Sequence, residues 1–223
     1  AQIEIAAELT HLAPSIHLLA TRLLAVAKEG ALKIREVVLN HTEGFEGSEF
    51  KHGPNTILGF NTLFGPREVQ ALLDRVADGV GAATDPGQHV RDALRHSMDA
   101  MAHDYPLVFI TGPGSRDVDL TISQVHTHKI RGALPIMVAE EDERLRAAVE
   151  KPPAERPGYR SVYIALPRTG DSLQTVFSAS VALQLLALRM SEKKMAYLEA
   201  LGCKDHGVHP DVPKNVSKSI TVD

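Results

Sequence analysis

Glu29, Lys33 and Glu36 sit in the block Glu29-Gly-Ala-Leu-Lys33-Ile-Arg-Glu36. Lys33 and Glu36, three residues apart, share one face of any helix that contains them. A second block, Glu49-Phe-Lys51-His52-Gly53-Pro54, sets His52 ahead of a Gly-Pro turn rigid enough to project it. A third, Pro213-Lys214-Asn215-Val216-Ser217-Lys218-Ser219-Ile220-Thr221-Val222-Asp223, places Lys218 where Ile220 and Val222 alternate with polar residues, a pattern suited to docking. A carboxylate with a pKa near the working range takes a proton from one carbon and returns it to the next. An imidazole exchanges protons near neutrality, and a partly deprotonated lysine attacks or holds a carbonyl. Together these groups can open a sugar ring and move a proton between neighbouring carbons. Each residue also has an ordinary reading: Lys33 and Glu36 as a surface ion pair, His52 as one loop histidine among eleven, Lys218 as a solvated terminal lysine.

The elements that must position these groups follow from periodicity. Gln2 to Leu12 reads as a helix stopped at Pro14, and Ile16 to Thr21 as a short strand. Leu24, Ala27, Ala31, Ile34 and Val38 recur at three- and four-residue steps, which predicts a helix from Leu23 to Asn40 carrying the first block. Gly44 to Pro54, rich in Gly, Pro and charge, reads as a loop. Pro66 to Gly79 and Gly87 to His103 are helical stretches. Leu107 to Thr111, Leu134 to Ala139 and Ser161 to Leu166 are continuous apolar strands, separated by helices over about 117–131 and through Glu150. Asp171 can cap a long helix from Ser172 to about Met190, apolar on most faces and so expected to be buried. Continuous apolar strands alternating with helices predict a parallel sheet covered on both sides, an α/β three-layer sandwich.

Composition narrows the function classes. Apolar residues make up 43 % of the 223, enough for a full core, but aromatics are only 4 % and Trp is absent, so that core must be aliphatic. The net charge of -4 provides no basic excess for a phosphate backbone, which argues against general nucleic-acid binding. Cys203 is the single cysteine, which excludes an intrachain disulfide framework and fits a reducing, cytoplasmic setting. No run approaches the roughly 18 consecutive apolar residues of a membrane span, and no signal peptide is visible.

The first two blocks and the C-terminal block resemble the sugar isomerase (SIS) domain family. Within it they look like the isomerase half of the glutamine–fructose-6-phosphate aminotransferases, whose pattern runs E-G-A-L-K-x-K-E, then G-E-L-K-H-G-P, and ends in P-R-N-L-A-K-S-V-T-V-E. Here the matches read EGALKIRE, SEFKHGP and PKNVSKSITVD, in the same order and with the last at the chain end. The resemblance covers residues 15–58 and 106–223. It leaves 59–105 as a helical insertion, whose use as lid, regulatory element or assembly surface the sequence does not choose. It implies a single SIS subdomain over 1–223 with a catalytic tail at about 206–223.

The implied activity is that of the C-terminal part of an enzyme converting fructose 6-phosphate to glucosamine 6-phosphate, this part carrying the ketose/aldose isomerisation. By the resemblance, Glu36 is the base, Lys33 stabilises charge on the substrate oxygens, and His52 opens the ring from across a homodimer interface. Lys218 holds or reacts with the open-chain carbonyl, Ser217 presents backbone groups to the sugar, and Glu29 is structural or orients Lys33. The sugar phosphate is the substrate, and no metal or organic cofactor is implied. The family's S-x-S-G-x-T phosphate loop and its glutaminase domain are absent from this sequence, so an upstream SIS subdomain and a glutaminase are expected in a longer enzyme. Rival readings are a two-SIS sugar-phosphate isomerase or deglycase, and a non-catalytic sugar-phosphate-binding module. Retention of Glu36 counts against the module, because binding alone does not need a base.

Weaker signals remain. Gly112-Pro-Gly-Ser115 after a strand resembles a phosphate loop, but Pro113 removes a donor, and a tight turn capped by Ser115 or Asp117 is the expectation. His126 and His128 point apart on a helix. His206 and His209 with Cys203 and Asp205 lack a convincing fourth zinc ligand.

Overall fold

A computed structural model describes residues 1–58, 65–101, 104–154, 156 and 158–210. Five strands form one parallel sheet: β1 (Ser15–Ala20), β2 (His41–Glu46), β3 (Tyr105–Ile110), β4 (Ala133–Glu140) and β5 (Val162–Leu166), in the order β2-β1-β3-β4-β5. The direction of winding reverses between β1 and β3, as in doubly wound α/β folds. Side chains alternate across the sheet and split the core in two. Ile16, Leu18, Val108, Ile136 and Ile164 pack under α1 (Gln2–Thr10), α2 (Leu24–Val38) and α8 (Ser172–Ala200). Leu19, Leu107, Phe109, Met137 and Tyr163 pack under α3 (Gly47–Lys51), α6 (Ser115–Lys129) and α7 (Glu143–Glu150). This is the three-layer α/β/α sandwich that the apolar strands predicted.

Two close approaches fix α2. A side chain at Gly44 on β2 would put its Cβ 2.7 Å from the Lys28 backbone nitrogen, and one at Gly30 would meet Leu183 of α8 and Leu18 of β1. Glycine at both positions lets α2 lie against the sheet and α8 at once. Polar ties complete the seating. Thr42 Oγ1 donates to the Ala31 carbonyl at 2.6 Å, Asn40 Nδ2 donates to the Ala13 carbonyl at 2.7 Å, and Lys194 Nζ of α8 donates to Asn40 Oδ1 at 2.6 Å.

Three expectations change. Residues 44–54 are not a loop. Gly44 to Glu46 completes β2, which pairs parallel with β1 over six residues, and the Glu46 carboxylate then caps α3 by accepting from the Ser48 and Glu49 amides. Pairing with β1 outweighs the poor strand propensity of Gly and Glu. The long helix α8 continues to Ala200, and Asp171 does cap it, accepting from Leu173 N at 2.7 Å. But α8 buries only one side. Leu183, Leu186 and Met190 are buried, while Leu173, Phe177, Val181 and Leu185 form an exposed stripe at four-residue steps, Phe177 being 67 % exposed. Its length and apolarity match a membrane span, yet this packing on α2 and the sheet is that of a core helix with one open face. Finally, α6 follows Gly114, its N-terminal cap residue, and has no side-chain cap. Asp117 is buried and turned to Arg22, whose Nε lies 3.1 Å from Oδ1 but off the N–H line, so the pairing is electrostatic rather than hydrogen-bonded.

Between α3 and β3 stand α4 (Pro66–Val80) and α5 (Pro86–Met101), an antiparallel hairpin packed mainly on itself. No residue of α4 is buried. The hairpin meets the body through Arg67, which donates to the Glu8 carbonyl at 2.7 Å, and through Gly65, whose Cβ position is crowded by Leu12 and Pro14.

Candidate functional site

Helix α2 places Glu29, Lys33 and Glu36 on its outer, part-exposed side, because Val26, Ala27, Gly30, Ala31 and Ile34 turn the other side into the core. Lys33 Nζ sits between the two carboxylates, 2.9 Å from Glu36 Oε2 and 3.6 Å from Glu29 Oε1. The hydrogen bond to Glu36 raises the Lys33 pKa and holds the ammonium charged, with the nearby Glu29 adding to it. A charged amine beside a carboxylate suits stabilisation of developing negative charge on a bound oxygen. Exposed Leu32 lies on the same helix.

His52 is exposed and follows α3 as its C-terminal cap, its amide donating to the Glu49 carbonyl at 3.0 Å. Helix α3 is anchored by buried Phe50 beneath the α6 side of the sheet, whereas α2 lies on the other side. The structure therefore brings Glu29, Lys33 and Glu36 together and leaves His52 apart from them within one chain. Ser217 and Lys218 lie outside the described residues.

The sheet also builds a polar cluster that periodicity did not reveal. The β1–β2 register pairs Ser15 with His41 and His17 with Glu43. Ser15 Oγ lies 2.9 Å from His41 Nδ1 and 2.7 Å from Tyr105 Oη, which in turn lies 2.7 Å from His17 Nδ1. His17 Nε2 and His41 Nε2 each stand 3.9 Å from a Glu43 oxygen. Burial, with His41 adding repulsion, pulls the His17 pKa down to about 4, and burial pushes the Tyr105 hydroxyl up to about 12, so both stay neutral at pH 7. The signal available in the sequence was a histidine at the centre of an otherwise apolar strand, Ser-Ile-His-Leu-Leu-Ala.

His128 of α6 is fully buried between Phe50 and Phe109, 5.2 Å and 6.3 Å away by ring centroid. Among the described residues neither of its ring nitrogens has a hydrogen-bond partner. Burial, reinforced by Lys51 and Arg131, lowers its pKa to about 4. His206 Nδ1 accepts from the Val208 amide, and among the described residues no three His, Cys, Asp or Glu side chains are grouped to hold a metal.

Comparison with known proteins gives a consistent likeness. The chain is 26 % identical over 198 residues to the glutamine–fructose-6-phosphate aminotransferase (isomerizing) of Corynebacterium glutamicum, covering 89 % of this chain and 22 % of that protein. It is 28 % identical over 198 residues to the enzyme of the same name from Methanothermobacter thermautotrophicus, covering 88 % and 22 %. The chain thus spans about a fifth of the length of these relatives. Among solved structures, the C-terminal domain of glucosamine-fructose-6-phosphate aminotransferase from Francisella tularensis superposes with a TM-score of 0.53 at 18 % identity, covering 87 % of this chain and 40 % of that one. No family model matches the chain. The fold is the SIS α/β sandwich, and the chain resembles the isomerase region of these aminotransferases.

Proposed function

We propose that this chain is the isomerising part of a glutamine–fructose-6-phosphate aminotransferase-like enzyme, acting on a hexose 6-phosphate. The observation that carries the reading is the Lys33 ammonium held between Glu29 and Glu36 on the open side of α2, within a stretch that aligns with these aminotransferases over 89 % of the chain. Glu36 moves the proton between neighbouring carbons while Lys33 balances charge on the substrate oxygens. Lys218, with Ser217, engages the open-chain carbonyl from the tail, residues 206–223. The unit is a single SIS subdomain, and the α4–α5 hairpin is an insertion in it. The phosphate cradle and the amine donor come from outside this stretch, from an upstream SIS subdomain and a glutaminase. A reducing, cytoplasmic setting fits the free, exposed Cys203.

His52 opens the ring in a second copy. Two observations support this: His52 and the α2 trio sit on opposite sides of the sheet, and α8 offers an apolar stripe without a partner among the described residues. The test is solvent deuterium exchange into glucose 6-phosphate by the natural product that contains this chain. Glu36→Gln is expected to cut exchange by roughly 100- to 10,000-fold while hexose-phosphate affinity holds. Exchange unchanged by that substitution would sink the reading.

A further inference from the structure

The α4–α5 hairpin touches α1 through Arg67 but leaves a gap beside that contact. Between it, α1 and the edge of the sheet where β1 and β3 begin lies a cavity of about 210 Å³. One wall is apolar, made by Leu9, Leu12 and Pro14 at the end of α1, with Pro106 of β3 and Ala71 of α4. Ligand sites of parallel sheets usually lie at the opposite, carboxyl edge of the strands, and none of Glu29, Lys33, Glu36 or His52 lines this space.

The polar groups around the cavity are mostly committed. The Ser15 and Tyr105 hydroxyls bond to each other and to His41 and His17. Asp104 takes Arg156 at 3.1 Å and Arg160 at 2.7 Å, and Glu68 accepts from the Gly65 amide. Arg67 gives one nitrogen to the Glu8 carbonyl. Arg75, two turns further along the same face of α4, makes no hydrogen bond or ion pair among the described residues. The lining carries three arginines against two carboxylates. What the cavity offers is therefore apolar surface and one uncommitted guanidinium, a fork that matches a carboxylate or phosphate.

We propose that this cavity is a second binding site, for a small molecule with an apolar body and a single anionic end, which Arg75 receives. Bound there, such a ligand fills the space between hairpin and body and fastens α4 to α1. The proposal is independent of the reaction assigned above, because the two sites share no residue.

Calorimetric titration of the full chain with three probes tests it. Octanoate has both features, octanol lacks the charge, and acetate lacks the apolar body. Octanoate is expected to bind saturably with a Kd below about 1 mM, and the other two at least about tenfold more weakly. Arg75→Gln is expected to weaken octanoate by about tenfold or more and leave octanol unchanged. Ala71→Phe, which fills the cavity from an exposed helix position, is expected to abolish binding without lowering the melting temperature. Absent octanoate binding, equal binding of octanoate and octanol, or octanoate binding indifferent to Arg75→Gln would each overturn the proposal.

Discussion

At the scale of single residues the two histidines most displaced from ordinary behaviour are His17 and His128. Both have pKa values near 4 in the folded chain against 6.5 for a free histidine. The unfolded chain therefore takes up protons first as pH falls. Stability from these sites is complete above pH 6.5, declines from there to pH 4, and is level below. Between pH 7 and pH 5 the two together are expected to remove roughly 3–4 kcal/mol, readable as a shift in the urea midpoint. His128→Leu separates the contributions. It replaces a buried imidazole lacking partners by an apolar side chain of like volume, so it is expected to stabilise the fold at pH 7 by about 1–2 kcal/mol and to halve the acid loss. A destabilised variant would mean that His128 has a partner within the fold. In the sequence His128 stood out only beside His126, and nothing marked it as buried and isolated. Its isolation comes from Phe50 and Phe109, which are distant in the chain and meet only when α3 and α6 share one side of the sheet. Lys33 and Glu36, by contrast, were legible, because a three-residue step on a helix needs no tertiary structure to bring two side chains together.

At the scale of elements, the seat of α2 is the point on which the candidate site depends. Gly44→Ala forces Cβ to within 2.7 Å of backbone that cannot rotate away. The substitution is expected to cost about 1–3 kcal/mol in a denaturant titration, with α2 lifted from β2. An unchanged midpoint would show that the helix has slack. Asn40→Ala is expected to cost about 2–3 kcal/mol, since it strands the Lys194 ammonium, whose pKa burial already lowers, and frees the carbonyl of Ala13. Sequence periodicity located α2, the start of α8 and the apolar strands β3 to β5 to within a few residues, but ended α8 ten residues early. It missed β2 and α3 because their stability is not local: β2 exists through its ladder to β1, and α3 through the Glu46 cap and Phe50 in the core.

At the scale of the whole molecule, α8 carries an exposed apolar face. Leu173, Phe177, Val181 and Leu185 line up at helical spacing with no partner among the described residues. A stripe of that kind marks an association surface. Sedimentation of the chain is expected to show a dimer that Phe177→Glu converts to a monomer with an unchanged melting temperature, since Phe177 is not part of the core. A chain that sediments as a monomer at all concentrations would mean that a different domain covers the stripe. By itself the sequence determined the parallel α/β class, the helix that carries Glu29, Lys33 and Glu36, and the likeness to sugar isomerases, because hydrophobic period and short motifs are local properties of a chain. Tertiary structure decided the rest. It set His52 on the far side of the sheet from those residues, left the outer side of α8 uncovered among the described residues, joined Ser15, His17, His41 and Tyr105 across three strands, and left a cavity between the α4–α5 hairpin and α1. Each of these follows from which distant segments the sheet order makes neighbours, and no local pattern encodes that order.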